Sequence, residues 1–344
     1  MLHCCGSLAK TTFIAACLVS GWVGMSVEQT CADEKPALKA TTVPRPNLQL
    51  KTLGGKQLWS DVFWLNDWRI QYNAVSQHYR LLDAKNKRRA WGTYDECFNE
   101  FAAVRKQTEF KAPKTTVVVL LHGLGRSNNA MHKLATYLKS PPIDGKVEWD
   151  VASLTYASGR LSIDDHASNL ARILESLSTE GVKEIHVVAH SLGNLVIRRY
   201  IGIQNSTEQS RVPELKRIVM LAPPNQGSRM AIVLKKNLLF RAIAGKSGQQ
   251  IAELEELEAK FPTPQCEFAI IAGGRGKTGR NPILAGDDDL IVSVEETKLA
   301  GARDFMIVPS LHTFIMNEPT TQAATLSFLQ HGYLKSAKDR TPLE

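Results

Sequence analysis

From Thr115 to the carboxyl terminus, short and largely apolar runs alternate with segments whose apolar residues recur at helical spacing. The runs are TTVVVLLHG, WDVASLTYA, EIHVVAH, RIVMLAPP, CEFAIIAGG and DFMIVPSLH. A continuous apolar run, as opposed to an alternating one, marks a strand buried on both faces, and parallel strands need helical crossovers between them. One crossover is legible in detail. SIDDHASNLARILESLSTEG opens with Ser162 three residues ahead of Asp165, as a capping box does. It then sets Ile163, Ala167, Leu170, Ile173, Leu174 and Leu177 on one stripe and stops at Gly181. The pattern predicts one α/β domain over 111–344: a doubly wound, mainly parallel sheet with helices on both faces.

Upstream the texture differs. WRIQYNAV, HYRLLDA and RRAWGTY, within 49–110, have strand composition and turn signals between them, which predicts a β-rich extension, a meander at a sheet edge. Trp59, Trp64, Trp68 and Trp91 fall here and read as packing residues. Residues 33–48 have no apolar period and read as a flexible lead-in. Residues 1–32 read as an export signal: Lys10 precedes the uncharged stretch Thr11–Val27, which is short for a membrane span, and cleavage is expected after Ala32. The protein is then expected to be periplasmic or extracellular, with lipid attachment at Cys17 in IAAC as the second choice. Of six cysteines, Cys97 and Cys266 would remain, and in an oxidising compartment they could form one disulfide.

The chain has 344 residues, 43% of them hydrophobic, enough for a real core. Its net charge of +8 is spread along the sequence apart from Lys85–Arg89. A solvated basic surface is the plain reading, and peripheral contact with an anionic membrane or lipid surface is the alternative. No spacing points to nucleic-acid recognition, a cofactor or a metal: there is no CxxC and no Cys/His cluster with zinc-ligand spacing.

The strand EIHVVAH enters the helix LGNLVIRRYIGI through a single serine, Ser191, with Ala189 two residues before it and Gly193 two after. A strand that turns at once into a helix forces the turn residue into a strained conformation and needs small neighbours on each side. Such a turn lifts the hydroxyl clear of the sheet and sets the backbone N–H of Leu192 at a helix start, where it can stabilise an oxyanion. An ordinary helix cap is the competing reading.

A serine hydroxyl needs a base to take its proton. Of the nine histidines, His190 is expected to point to the opposite side of its strand. His186 lies within that strand, His132 and His166 in helical runs, His78 in the meander, His331 at the end of the last helix and His3 in the leader. His122, in LLHGLG, reads as a loop-shaping residue. His312, which ends the last strand run and precedes the final helix, is the candidate base. AGDDDLIVSVEET supplies the carboxylate that would fix its tautomer: Asp289 is the choice and Asp288 the alternative, while a solvated turn or a loose calcium loop is the plain reading of the run. A second oxyanion donor is expected at the backbone N–H of Leu124, where Gly123 would permit a tight turn. The glycines there do not complete GxGxxG, and GGRGKTGR does not complete a Walker A motif.

Taken together, these segments resemble the α/β-hydrolase superfamily and, within it, the bacterial secreted lipases and esterases. LLHGLG looks like the group's oxyanion loop, AHSLGN like its nucleophile elbow in the alanine variant, and LAPPNQGS like the loop after the next strand. DDDLIVSVEET is similar to the acid segment, with Leu290 where glycine is common, and SLHTFIMN to the histidine segment. The resemblance covers 115–333, and the order Ser191, Asp289, His312 is the family's. It implies a carboxylic ester hydrolase working through an acyl-enzyme, with no cofactor. An acyltransferase or thioesterase with the same residues, a peptidase or amidase, and a secreted binding protein on a hydrolase scaffold are the alternatives. Residues 229–265 exceed a bare connection and carry apolar residues at helical spacing; they are expected to form two helices capping the cleft, as a lid or as a fixed pair, over a lipid-like or aryl ester.

Overall fold

The computed structural model describes residues 52, 57–141, 147–206, 212–254, 259–276 and 279–344, with the backbone alone at 238–243. The expected leader at 1–32 with its Cys17, the lead-in at 33–48 and part of the expected cap, 255–258, lie outside these residues.

The aromatic runs form a meander, β1 (Trp59–Leu65), β2 (Trp68–Asn73), β3 (Tyr79–Leu82) and β4 (Arg88–Gly92), antiparallel and in that order. It docks at the edge of the main sheet: the backbone N–H of Asp61 donates to the Thr155 carbonyl at 2.8 Å, and the Thr155 N–H returns to Asp61 Oδ2 at 2.7 Å. The chain then forms α1 (Tyr94–Gln107), which the strand-like composition of this region conceals. Its signal is nonetheless local. Thr93 and Glu96 form a capping box, Asp95 and Glu96 occupy the first turn, and Arg105 and Lys106 the last.

The six apolar runs become β5 (Thr116–Leu121), β6 (Trp149–Ser153), β7 (Glu184–His190), β8 (Glu214–Leu221), β9 (Glu267–Gly273) and β10 (Asp304–Val308). They pair in the order β10-β9-β8-β7-β5-β6, every pair parallel. Successive residues serve opposite faces. Val117, Val119 and Leu121 join one apolar layer with α3 (Ile163–Thr179) and α4 (Leu192–Ser206), whereas Val118 and Leu120 join the other with α2 (His132–Lys139) and α8 (Pro319–His331). Each such side chain contributes about 1.5–3 kcal/mol by leaving water, which is why the central stretches of these strands run apolar without alternation. Helix α3 starts at the Ser162–Asp165 capping box. The remaining helices are α5 (Arg229–Leu234), α6 (Leu238–Ala252) and the single turn α7 (Val294–Thr297). Among the described residues no helix is long and apolar enough to cross a membrane.

Cys97 and Cys266 do not form the disulfide that the sequence left open. Cys97 is buried in α1 against the meander and Cys266 leads into β9, and both are free thiols. Burial pushes them up to about 12 and about 11 respectively.

From β5 the chain steps outward to β6 and then crosses back to β7 on the other side. The carboxyl ends of β5 and β7 therefore flank the point where the winding reverses, the place where open α/β sheets leave a crevice.

Candidate active site

Ser191 stands between β7 and α4 with φ of 51°, a left-handed conformation that side chains other than glycine adopt under constraint. Its N–H donates to the carbonyl of Leu221 at 3.0 Å, and its own carbonyl accepts from the backbone N–H and the side-chain amide of Asn194, each at 3.0 Å. Gly193 is small of necessity, because a Cβ there would lie 2.8 Å from the carbonyl oxygen of Leu121.

Nε2 of His312 lies 2.9 Å from Oγ of Ser191, and Nδ1 of the same ring lies 2.7 Å from Oδ2 of Asp289. A carboxylate can only accept, so Nδ1 carries the proton and Nε2 is left to accept from the serine hydroxyl. His312 does not end β10 itself; it opens a 3-10 turn over His312–Asn317, after the strand closes at Val308. The other oxygen of the buried Asp289, Oδ1, accepts the N–H groups of Ile291 and Val292 at 3.0 and 2.8 Å, which fixes the carboxylate plane.

The three aspartates separate by partner. Asp287 accepts the backbone N–H groups of Arg275 and Gly276, Asp288 those of Arg280, Asn281 and Leu290, and Asp289 alone of the three bonds His312. Leu290, at φ 83°, takes the conformation that glycine adopts freely. Among the described residues no group of three metal-ligating side chains converges.

The loop after β5 carries His122, Gly123 and Leu124 to the mouth of the crevice. Gly123 is required for room and not for a left-handed turn: a Cβ would come within 2.8 Å of His190 Nδ1 and 3.2 Å of Ser191 Cβ. Neither the N–H of Leu124 nor that of Leu192 has a hydrogen-bond acceptor among the described residues. His122 shapes the loop through both ring nitrogens. Nδ1–H donates to the Gly123 carbonyl at 2.8 Å and Nε2 accepts the N–H of Tyr156 at 3.2 Å, while the ring stacks on Tyr156 with centroids 4.0 Å apart. Burial lowers this imidazole to about 4, so it is neutral.

His190 overturns the expectation that it points away. It lines the same cavity as Ser191, and its Nε2–H donates to the backbone carbonyl of His312 at 2.9 Å, with the two rings 4.9 Å apart. Strict strand alternation stops at the last strand residue, since the left-handed turn at Ser191 swings the chain and brings both side chains to the crevice. Burial first, then the neighbouring His312, holds His190 well below the ordinary histidine range.

A cavity of about 270 Å³ opens over Ser191. Beyond the residues above, Pro224, Met230, Ala231, Leu234, Ile251 and Ile291 make its walls apolar, and Arg126 is the charged residue among them. The α5–α6 pair forms one wall. Helix α6 kinks at Gly245, φ 56° and ψ −150°. Beyond the kink it is tied to the start of α3, where Gln250 accepts the Ile163 N–H at 2.7 Å and Ser247 donates to the Leu161 carbonyl at 2.9 Å.

The sequence model of a domain of unknown function, DUF7379, matches residues 85–247, a span that ends before Asp289 and His312. No curated protein matches by sequence. Among solved structures, the chain is similar to the mature lipase BlEst2 of Bacillus licheniformis, with 16% identity and a TM-score of 0.46, covering 64% of this chain and 91% of that one. It is also similar to phospholipase PlaB of Legionella pneumophila, with 15% identity and a TM-score of 0.48, covering 64% of this chain and 59% of that one. A third is the monoacylglycerol lipase of Paleococcus ferrophilus, with 17% identity and a TM-score of 0.42, covering 63% and 95%. With six parallel strands in this order, a left-handed serine between β7 and α4, and loops after β9 and β10 closing on it, the protein has the α/β-hydrolase fold.

Proposed function

We propose that the protein is a serine hydrolase of carboxylic esters, of esterase or lipase type. The observation that carries this reading is the unbroken hydrogen-bonded chain from Ser191 through His312 to Asp289 at the floor of an apolar cavity. Ser191 Oγ bonds to the ester carbonyl carbon as His312 Nε2 takes its proton, and Asp289 stabilises the imidazolium. The N–H groups of Leu124 and Leu192 hold the negative oxygen, each worth about a hundredfold or more in turnover. The bond from the carbonyl carbon to the alcohol oxygen breaks, and His312 returns the proton to the departing alkoxide. Water, deprotonated by the same imidazole, then attacks the acyl-enzyme and releases the acid and free serine. The apolar walls favour a lipid-like acyl group, and the exposed apolar side chains beside the mouth favour contact with a lipid surface.

The test is covalent labelling with a fluorophosphonate. The wild type should label and Ser191→Ala should not. A wild type that stays unlabelled would turn the reading toward a binding protein on this scaffold, and, in a separate assay with a carboxylic ester substrate, acyl transfer to an added alcohol in preference to water would turn it toward an acyltransferase.

A further inference from the structure

The apolar cavity over Ser191 adjoins a second, polar hollow, and Arg126 lines both. In the first it stands with Leu234, Ile251 and Thr313; the second is formed with Gln57, Gly125, Ser127, Asn129 and Ala130. The backbone of Arg126 is fixed. Its N–H donates to the Gly123 carbonyl at 3.2 Å, and its carbonyl accepts Gln57 Nε2 at 2.8 Å. The guanidinium is not comparably held. Its hydrogen bond is a long one, 3.5 Å from Nη2 to the carbonyl oxygen of Thr313, and no carboxylate pairs with it among the described residues. A half-buried guanidinium beside apolar walls, lacking an anionic partner, is a site for an anion, and its planar fork matches phosphate oxygens. The Ser127 hydroxyl and the Asn129 amide, which line the same hollow, have no hydrogen-bond partner among the described residues and add donors.

Its place in the crevice says which part of an ester would meet it. When Ser191 is acylated, the alcohol departs with the proton delivered by Nε2 of His312, so the alcohol must lie on the His312 side of the carbonyl. Arg126 reaches Thr313, the next residue. The acyl group has its own surface on α5 and α6, where Met230, Leu234 and Ile251 offer no charge. We propose that Arg126 binds a phosphate on the alcohol portion, which makes acyl esters of phosphorylated polyols, such as glycerol phosphate, the preferred substrate class. This inference rests on the ester-hydrolase reading above.

The experiment compares 1-hexanoylglycerol with 1-hexanoylglycerol 3-phosphate, both as monomers, on the wild type, Arg126→Gln and Arg126→Lys. The wild type should favour the phosphorylated ester in kcat/KM by about tenfold or more, the size of a charge-assisted hydrogen bond. Arg126→Gln should bring that ratio close to one, chiefly through KM, and Arg126→Lys should keep part of it. Both esters meet the same preparation, so a partly unfolded variant leaves the ratio intact. A wild-type ratio of one, or a preference that survives in Arg126→Gln, overturns the role of Arg126 while leaving the hydrolase reading standing. Absence of turnover on both esters together with absence of fluorophosphonate labelling overturns both. Repeating the pair with dodecanoyl esters in vesicles separates a lipid headgroup, for which the preference grows, from a soluble phosphate ester, for which it does not; either supports the phosphate site.

Discussion

Asp289 holds His312 twice: its Oδ2 accepts the ring Nδ1–H at 2.7 Å, and its backbone carbonyl accepts the His312 N–H at 3.0 Å. The first bond sets the tautomer and the second sets where the ring begins. In Asp289→Asn the backbone bond survives, but the amide can turn an N–H toward Nδ1 and move the ring proton to Nε2, which then cannot accept from Ser191. Turnover should fall by about ten-thousandfold with little loss of fold. Asp288→Asn should behave in the opposite way, because that carboxylate accepts the N–H groups of Arg280, Asn281 and Leu290 and holds the loop. Steady-state kcat and thermal unfolding on the two variants check this, and a larger kcat loss at position 288 would transfer the acid role there.

Gly193→Ala should damage the turn itself. The added methyl would lie 2.8 Å from the Leu121 carbonyl oxygen and 2.9 Å from Leu121 Cβ, both in a central strand that cannot retreat. Overpacking of this kind costs about 1–3 kcal/mol, and a shift of Ser191 approaching an ångström costs about a hundredfold in turnover. Gly181→Ala is the control. Gly181 has φ of +90° and nothing within 4 Å of a Cβ, so it should lose about 1 kcal/mol of stability and no activity. Urea midpoints and labelling rates on both proteins separate strain in general from strain at the serine.

The six strands were legible because strands buried on both faces are dominated by apolar residues, and the serine turn because its neighbours must be small. The acid segment was legible, with Asp289 chosen and Asp288 the alternative, but the run itself does not separate the two. All three aspartates accept backbone N–H groups, and which one also faces His312 depends on the left-handed turn at Leu290, which a sequence does not display. His190 was misplaced because alternation was extended one residue too far, up to a turn that ends it. Helix α1 was concealed by the aromatic composition around it, although Thr93 and Glu96 carried its start. Arg126 had no local signal at all, since it stands out only by lining a cavity wall with no carboxylate paired to it among the described residues.

Buried histidines should make the protein sensitive to mild acid. Burial lowers His122 and His186 to about 4 and His166 to about 3, against 6.5 for a free histidine. Between 6.5 and about 4 the unfolded chain therefore binds more protons than the folded one, so this part of the stability is complete above 6.5 and is lost as the pH falls toward 4. The slope reaches about 1.4 kcal/mol per pH unit for each such histidine. Asp61, whose carboxyl burial pushes up, opposes the trend as a single group. Neither ring nitrogen of His166 has a hydrogen-bond partner among the described residues, so His166→Leu should both flatten the slope and raise stability at pH 5. Urea unfolding at pH 7 and pH 5 reads both effects, and an unchanged slope in the variant would reject this account.

The mouth of the cavity should adhere to lipid. Val233 and Phe314 are each 52% exposed, beside the lining residues Leu234 and Thr313, and Ile232, Leu290 and Ile291 are exposed on the same lining segments. Apolar side chains collected at the entrance of an apolar cavity, with the exposed Lys235 and Lys236 next to them, suit a surface that is greasy within and anionic at its headgroups. Removing two half-exposed side chains of this size takes away about 1 kcal/mol of burial each. Val233→Asp combined with Phe314→Ser should therefore weaken flotation with anionic phospholipid vesicles by about tenfold or more. Turnover of a soluble short-chain ester should be affected far less, because neither side chain lines the cavity. A wild type that fails to float, or a double variant that floats as well as the wild type, would place the lipid contact elsewhere or remove it.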